Sequence, residues 1–458
     1  MKKLICAVIS LLMIAGCISP AFAAQADSFV PVIRFVAASD SHVKEEDHTN
    51  EQRITKMLQL AYSIAGEDAA YSALDAVLVA GDLTNDGTKP EFDNFSNAVF
   101  GSLREGTKFL GVVAKNHDGY QMKREELRAY YKSVTGNNAD FNTVINGYHF
   151  IGISASPDDA QHYTQAQIDW LEKQLAEATA EDPNKPVFVM HHEHNRGTVY
   201  GSSLYDGWGV TYFNSLLKKY PQVVDFSGHS HYPLNHPGSV WQGDFTAIGT
   251  GAIYYSEFTV EGERTYHPAD SGDTATFWLV ELDKDNNMRL RGYDINEGKE
   301  LCRLMLNNPA NPANRDYTPE KRKAASSAPA FSKDAALTVN PVTGGCKVTV
   351  PAARSTDGMP VVLYRIYAKN SMGMTVAKNW VMPSYYRAVE QDTIDLELSG
   401  LGAGEYTIGV VAENAYGMQS APVEAKVTVE SENTFQSFLD QIAQFFNLIK
   451  DFFIQLFW

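Results

Sequence analysis

An α/β domain followed by a smaller all-β sandwich is the fold class that this 458-residue sequence predicts. Three observations predict it. Apolar runs of strand length alternate with helical periodicity from Pro31 to about Leu306, which implies a sheet with parallel pairs. After His231 strands succeed one another without helices, as in an antiparallel section. Beyond Lys333 short strands recur at sandwich spacing as far as Val429. The apolar fraction of 44% is that of ordinary globular protein, and the length suits two or three domains. Acidic residues outnumber basic ones 55 to 38, a net charge of −17, and no Lys/Arg block occurs. Nucleic acid is therefore not expected as a surface partner, although it stays open as a substrate.

The first 23 residues read as a signal peptide. Lys2-Lys3 is a basic start, Leu4 to Ile14 an apolar core too short to span a membrane comfortably, and Ala21-Phe22-Ala23 an A-x-A cleavage site. Ile14-Ala15-Gly16-Cys17 resembles a bacterial lipobox, so lipidation at Cys17 stays open beside cleavage after Ala23. Both outcomes predict an exported protein, secreted or associated with the cell envelope. Cleavage at Ala23 leaves Cys302 and Cys346, for which a disulfide and two buried thiols are equal alternatives. No Cys-x-x-Cys occurs, so a metal here must be held by nitrogen and oxygen.

Residues 28–306 form the first predicted domain. Val32 to Ala38, Ala76 to Ala80, Phe109 to Ala114, Val144 to Ile153, Val187 to Met190 and Val223 to Phe226 read as strands. Glu51 to Ile64, Glu91 to Leu103, Glu125 to Lys132 and Gln165 to Ala178 read as helices, the last with Ile168, Leu171 and Leu175 on one face. Phe277 to Leu282 and Met288 to Asp294 flank a turn at residues 283–287.

The residues just past the strand ends are chemically narrow. Asp40-Ser41-His42, Gly81-Asp82, Asn116-His117-Asp118, His191-His192 and Gly228-His229-Ser230-His231 each begin at such a place. Loops on a rigid sheet would gather them at one edge. Carboxylates, imidazoles and an amide oxygen without thiolates suit two divalent or trivalent ions of Fe, Mn, Zn, Co or Ni that share one carboxylate. A lone Asp or His at a strand end is usually a cap or a satisfied core residue. The set as a whole is not explained that way.

The ordered series D-x-H, G-D, N-H-D, H and G-H-x-H resembles the calcineurin-like metallophosphoesterases over roughly residues 31 to 300. The resemblance implies a sandwich of two mixed sheets flanked by helices. It implies Asp40, His42, bridging Asp82 and His231 on the first metal, and Asp82, Asn116, His191 and His229 on the second. His117 would meet the transferring phosphoryl group or the leaving oxygen, and Asp118 would fix the His117 ring. A hydroxide on the metals would attack phosphorus in line and hydrolyse a phosphate mono- or diester. His192 would then lie behind the ligands or in a lid, and His194 in a plain loop. Two departures stand out. Lys115 replaces the glycine usual before Asn-His. Asn85 stands where purple acid phosphatases carry the tyrosine three residues after the bridging Asp, so a tyrosinate-bound ferric centre is not implied.

Residues 191–208, with Arg196, Tyr200, Tyr205 and Trp208 among glycines and serines, are the richest candidate substrate loop. Residues 307–333 read as a linker or peripheral wrap. Residues 334–430, with Tyr406 placed like the tyrosine of a corner motif, resemble a fibronectin type III module, which implies a spacer or binding role. Residues 431–458 place Phe435, Phe438, Leu439, Ile442, Phe445, Phe446 and Ile449 at helical spacing. This amphipathic helix either docks on protein or lies at a membrane surface. The alternative to an enzyme is a cell-surface binding or scaffold protein with a vestigial phosphoesterase fold, and the completeness of the ligand set argues against it.

Overall fold

The computed structural model describes residues 29–203, 208–260, 263–430, 439, 442–447 and 449–450. The predicted leader, Cys17, Tyr205 and most of the terminal helix lie outside the described residues.

Strands β1 (Pro31–Ala38), β2 (Ala76–Ala80) and β3 (Lys108–Val112) alternate with helices α1 (Thr49–Glu67), α2 (Lys89–Phe100) and α3 (Arg124–Thr135). Next come β4 (Phe141–Ile145), β5 (Tyr148–Gly152), α4 (Gln165–Glu181), β6 (Val187–Met190), the two-residue strands β7 (His194–Asn195) and β8 (Gly209–Val210), α5 (Asn214–Leu217) and β9 (Val223–Ser227). The rest of this part is β10 (Val240–Gln242), β11 (Thr246–Gly249), β12 (Phe258–Val260), β13 (Glu263–Tyr266), β14 (Thr276–Asp283), β15 (Met288–Asp294) and β16 (Lys299–Leu306). One sheet runs β16-β15-β14-β1-β2-β3 and the other β10-β11-β9-β6-β5-β4. In each, a parallel core is flanked by antiparallel strands. This is the arrangement of two mixed sheets with helices outside that the resemblance implies.

Strand alternation explains the layers. Ile33, Phe35 and Ala37 of β1 face the space between the sheets, while Val36 and Ala38 face α1 and α2 with Ile54, Leu58, Phe92 and Phe95. Both faces of β1 are therefore covered, which is why its sequence is a continuous apolar run. Phe35 meets Phe150, Phe188 and Phe226 of the other sheet edge-on at centroid distances of 5.2, 5.0 and 5.8 Å. Removing that ring would cost about 3–5 kcal/mol. Helices α2 and α4 start at capping boxes, Thr88 with Glu91 and Thr164 with Gln167.

One expectation changes. The apolar stretch Val144 to Ile153 is not one strand: Asn146 and Gly147, both at positive φ, turn the chain between β4 and β5. Asn-Gly supplies the left-handed pair that a two-residue hairpin needs. Of the two readings of residues 307–333, a linker or a peripheral wrap, the contacts are those of a wrap. Arg315 Nη2 donates to Pro221 O and Asp244 O, each at 2.8 Å, and Tyr317 N to Gln242 Oε1 at 2.9 Å, before helix α6 (Pro319–Ala325).

The C-terminal part is β-rich. Strands β17 (Thr338–Val342), β18 (Gly345–Pro351) and β21 (Thr393–Ser399) form one sheet. Strands β20 (Thr375–Val381), β19 (Val361–Lys369), β22 (Gly404–Asn414) and β23 (Val423–Val429) form the other. Tyr406 OH donates to Gly402 O at 3.1 Å, the contact of a tyrosine corner. Cys302 packs beside the space between the two large sheets and Cys346 in the core of this sandwich, both as free thiols. Among the described residues no helix is long and apolar enough to cross a membrane.

Candidate metal centre

The loops after β1 and β2 are zipped together: Asp40 N donates to Gly81 O and His42 N to Asp82 O, each at 3.0 Å. The zipper forces a conformation that side chains resist. Asp40, His42 and Asp82 sit at φ of 53°, 43° and 49°, and His229 and His231 after β9 at 73° and 53°. Five of the seven expected ligands thus occupy the left-handed region, at a cost of about 1–3 kcal/mol each. Packing of the two sheets overrides that cost.

The side chains converge in three overlapping groups whose donor atoms lie within 4.8 Å of one another: Asp40, His42 and His231; His42, Asp82 and His117; Asp82, His192 and His229. On one side, His42 Nε2 lies 3.2 Å from His231 Nε2 and 3.7 Å from Asp82 Oδ2, and His231 Nε2 lies 3.2 Å from Asp40 Oδ1. On the other, His192 Nε2 lies 3.1 Å from Asp82 Oδ2 and 3.2 Å from His229 Nδ1. Asn116 Nδ2 is 3.4 Å from Asp82 Oδ2. Ligands about 2.1 Å from a common cation stand roughly 3.0–3.4 Å from each other, which is this spacing. Asp82 Oδ1 and Asn116 Oδ1 are buried without a hydrogen-bond partner. Buried oxygens left unmet are costly, and a cation would meet them.

Charge argues the same way. Burial would raise Asp40, yet the His231, His192 and His42 imidazoles hold it well below the usual carboxylate range. Burial likewise opposes the ionised Asp82, and His192 and His42 keep it low. Burial presses His42 down to about 3, against the pull of Asp82. His192 and His231 are raised despite burial because each faces a carboxylate. Two buried carboxylates thus demand positive charge, which protons or cations can supply.

His191 is a correction. Its Nε2 lies 3.0 Å from Asp225 Oδ1 and 3.1 Å from Asn195 Nδ2, and its ring packs on Phe213, away from the cluster. Period-two alternation is the reason. Val187 and Val189 face α4 while Phe188 and Met190 face the inter-sheet core, so His191 continues the first series and His192 the second. His192 has the set-up of a metal-binding imidazole, since Nδ1 donates to Ala80 O at 2.8 Å and leaves Nε2 for the cluster. Gly81 makes room for it, because a Cβ there would stand 2.6 Å from His192 Nδ1. A Cβ on Gly228 would stand 2.3 Å from Asp40 Oδ2.

Asp118 also differs from expectation. Its carboxylate accepts Thr84 N at 2.9 Å, Thr84 Oγ1 at 2.8 Å and Ala114 N at 2.8 Å, so it ties the second loop to the third. The His117 ring is instead set by Asn85, whose carbonyl accepts Nδ1 at 2.7 Å. His194, expected in a plain loop, is buried and bridges Ser227 Oγ at 2.8 Å and Ser230 Oγ at 2.7 Å, fastening the loop that carries His229 and His231. Tyr120 lies over His117 and Tyr254 over His42, at 4.9 and 5.2 Å. Arg196 donates to Gly209 O at 3.4 Å within the β7–β8 loop, and Tyr200 stacks on His236 at 3.9 Å.

Residues 33–233 match the family described as calcineurin-like phosphoesterase. A probable cyclic nucleotide phosphodiesterase of Rhodopseudomonas palustris is 22% identical over 238 residues, 50% of this chain and 82% of that protein. A glycerophosphodiester phosphodiesterase of Enterobacter lignolyticus is 27% identical over 202 residues, 42% of this chain and 69% of that protein. A purple acid phosphatase from yellow lupin (Lupinus luteus) superposes with a TM-score of 0.42 at 16% identity, over 60% of this chain and 53% of its own.

Proposed function

Residues 33–233 form a calcineurin-like phosphoesterase domain, that of a metal-dependent phosphoric ester hydrolase, and from that premise we propose that this chain cleaves phosphodiesters at a centre for two cations. The observation that carries the reading is the convergence on Asp82, whose carboxylate belongs to donor groups on both sides. Asp40, His42, Asp82 and His231 would hold one ion; Asp82, Asn116, His192 and His229 would hold the other. When bound, the ions supply activation of water and neutralisation of charge on the phosphoryl oxygens.

The chain's own groups do the rest. The Asn85 carbonyl fixes the His117 tautomer, so Nε2 is the nitrogen left to meet a phosphoryl oxygen or to return a proton to the departing alkoxide. The exposed Tyr120 ring over His117 and the Lys44–Tyr254 pair, 3.0 Å from Nζ to OH, form a rim suited to the second ester substituent. The similarity to two phosphodiesterases supports a diester over a monoester. The leader-like start supports export, to the medium or the cell envelope. Membrane-surface association through Cys17 or the terminal helix fits the exposed Ile442, Phe445, Phe446 and Ile449.

Purified protein loaded with Mn²⁺ or Zn²⁺ should hydrolyse bis-p-nitrophenyl phosphate faster than p-nitrophenyl phosphate and stop on chelation. The reverse preference would replace the diester by a monoester. An Asp82→Ala variant as fast as its parent would sink the two-cation reading.

A further inference from the structure

The C-terminal sandwich makes contacts that a spacer has no need of. The chain between β20 and β21 is folded onto the catalytic domain. Ser384 Oγ at 2.8 Å, Arg387 Nη1 at 3.3 Å and Tyr386 OH all reach the Asp270 carboxylate. Arg387 Nη2 donates to Glu297 Oε1 and Ala388 N to Asp294 Oδ2, each at 3.0 Å. Phe258, Val260, Leu363 and Tyr386 close a buried apolar cluster around these bonds, with the Phe258 and Tyr386 rings 4.6 Å apart.

The catalytic side of this contact backs the metal ligands. Phe258 and Asp270 belong to the stretch after β11, and its first residues are bonded to the ligand loops. Ile253 N donates to Ser39 O, Tyr254 N to Asp40 O and Glu257 N to His231 O, each at 3.1 Å. The Tyr255 ring lies 4.4 Å from that of His231. Ser256 N donates to Ser271 O at 3.2 Å, joining the part that touches the ligands to the part that touches the sandwich.

We propose that the C-terminal sandwich is a positioning element of the metal centre: its Ser384–Arg387 loop holds Asp270 and Phe258, and so fixes the backbone behind Asp40 and His231. The inference rests on the two-cation reading and adds a part to it. Ligand sets tolerate little displacement, since a shift of about 1 Å can cost ~10² in rate. Four of the bonds across this seam hang on Ser384, Tyr386 and Arg387, side chains that touch no ligand.

The test uses the full chain loaded with Mn²⁺ and compares Arg387→Ala, Tyr386→Ala, Arg387→Lys and the exchange Asp270→Arg with Arg387→Asp. The readouts are kcat and KM separately, the Mn²⁺ concentration at half-activation, and circular dichroism. Both alanine variants should lower kcat about tenfold and raise the Mn²⁺ requirement by about the same factor, with KM little changed. Arg387→Lys should stay near the parent, and the exchange variant should exceed either single change. Parental kcat and Mn²⁺ requirement in both alanine variants, or a change confined to KM, would overturn the proposal. Should Tyr386→Ala fail to fold, Ser384→Ala combined with Arg387→Gln decides by the same criteria. A dead Asp82→Ala beside a fully active Arg387→Ala would defeat the positioning role alone; an active Asp82→Ala would defeat the metal centre itself.

Discussion

The chain contains two β-sandwiches, and they spend backbone strain differently. In the catalytic domain Asp40, His42, Asp82, His229 and His231 lie at positive φ, where a Cβ is unwelcome. In the C-terminal sandwich every described residue in that region is glycine: Gly344, Gly358, Gly373, Gly400 and Gly417. The second sandwich turns its corners in the cheapest way available. The first also turns on glycine and asparagine, as at Asn146-Gly147, but in the ligand loops it puts imidazoles and carboxylates at such angles because the side chain is needed there. Strain borne by residues with chemistry to offer marks a site; the same angles borne by glycine mark a turn.

The largest effect expected within this contrast comes from removing the shared carboxylate: Asp82→Ala should lower kcat by ~10³ or more, measured with saturating Mn²⁺. Adjacent histidines offer a sharper cut. His192→Ala should cost ~10² in activity and most of the affinity for one ion, whereas His191→Ala, which touches Asp225 and Asn195, should cost about tenfold. Equal losses would erase the distinction between the two faces of β6. Glycines separate the sandwiches again. Gly228→Ala drives a Cβ against Asp40 and should reduce activity ~10-fold or more, while Gly373→Ala, with open space around it, should lower stability by about 1 kcal/mol and leave kcat alone.

An effect seen only as pH changes lies at the seam between the two. His236 is half-buried with its ring stacked on Tyr200, and it is held neutral, its pKa pressed down to about 3 by desolvation and by Arg322. Below its ordinary value of 6.5 only the unfolded chain takes up this proton, so stability falls as pH falls from about 6.5 toward 3. The slope from this one group is about 1.4 kcal/mol per pH unit at most. His236→Asn should flatten the denaturation midpoint against pH over that window; an unchanged slope would show that His236 does not set it.

Much of this organisation was legible in the residues. The apolar runs placed β1, β2, β6 and β9 because those strands are covered on both faces, and the Asp, His and Asn after them were legible as one cluster because parallel strands deliver their ends to one edge. The parts that stayed hidden needed facts that a motif lacks. Choosing His192 over His191 takes the facing of β6, which Phe188 and Met190 against Val187 and Val189 reveal only once the two cores are distinguished. The family resemblance made Asp118 the partner of His117, yet a short 3₁₀ turn at His117–Gly119 turns its carboxylate toward Thr84 and Ala114. The Asn146-Gly147 hairpin was masked by apolar residues on both sides of it. Arg387 and Asp270, 117 positions apart, carry no local signal of their contact at all.

The central claim is that two cations meet at Asp82 with His192, not His191, on the second. Anomalous diffraction from crystals of the Mn²⁺-loaded protein tests it most directly. The account predicts two peaks about 3.5–4 Å apart astride the Asp82 carboxylate, with His192 Nε2 about 2.1 Å from one of them. A single peak, or a second ion bound by His191, would contradict it.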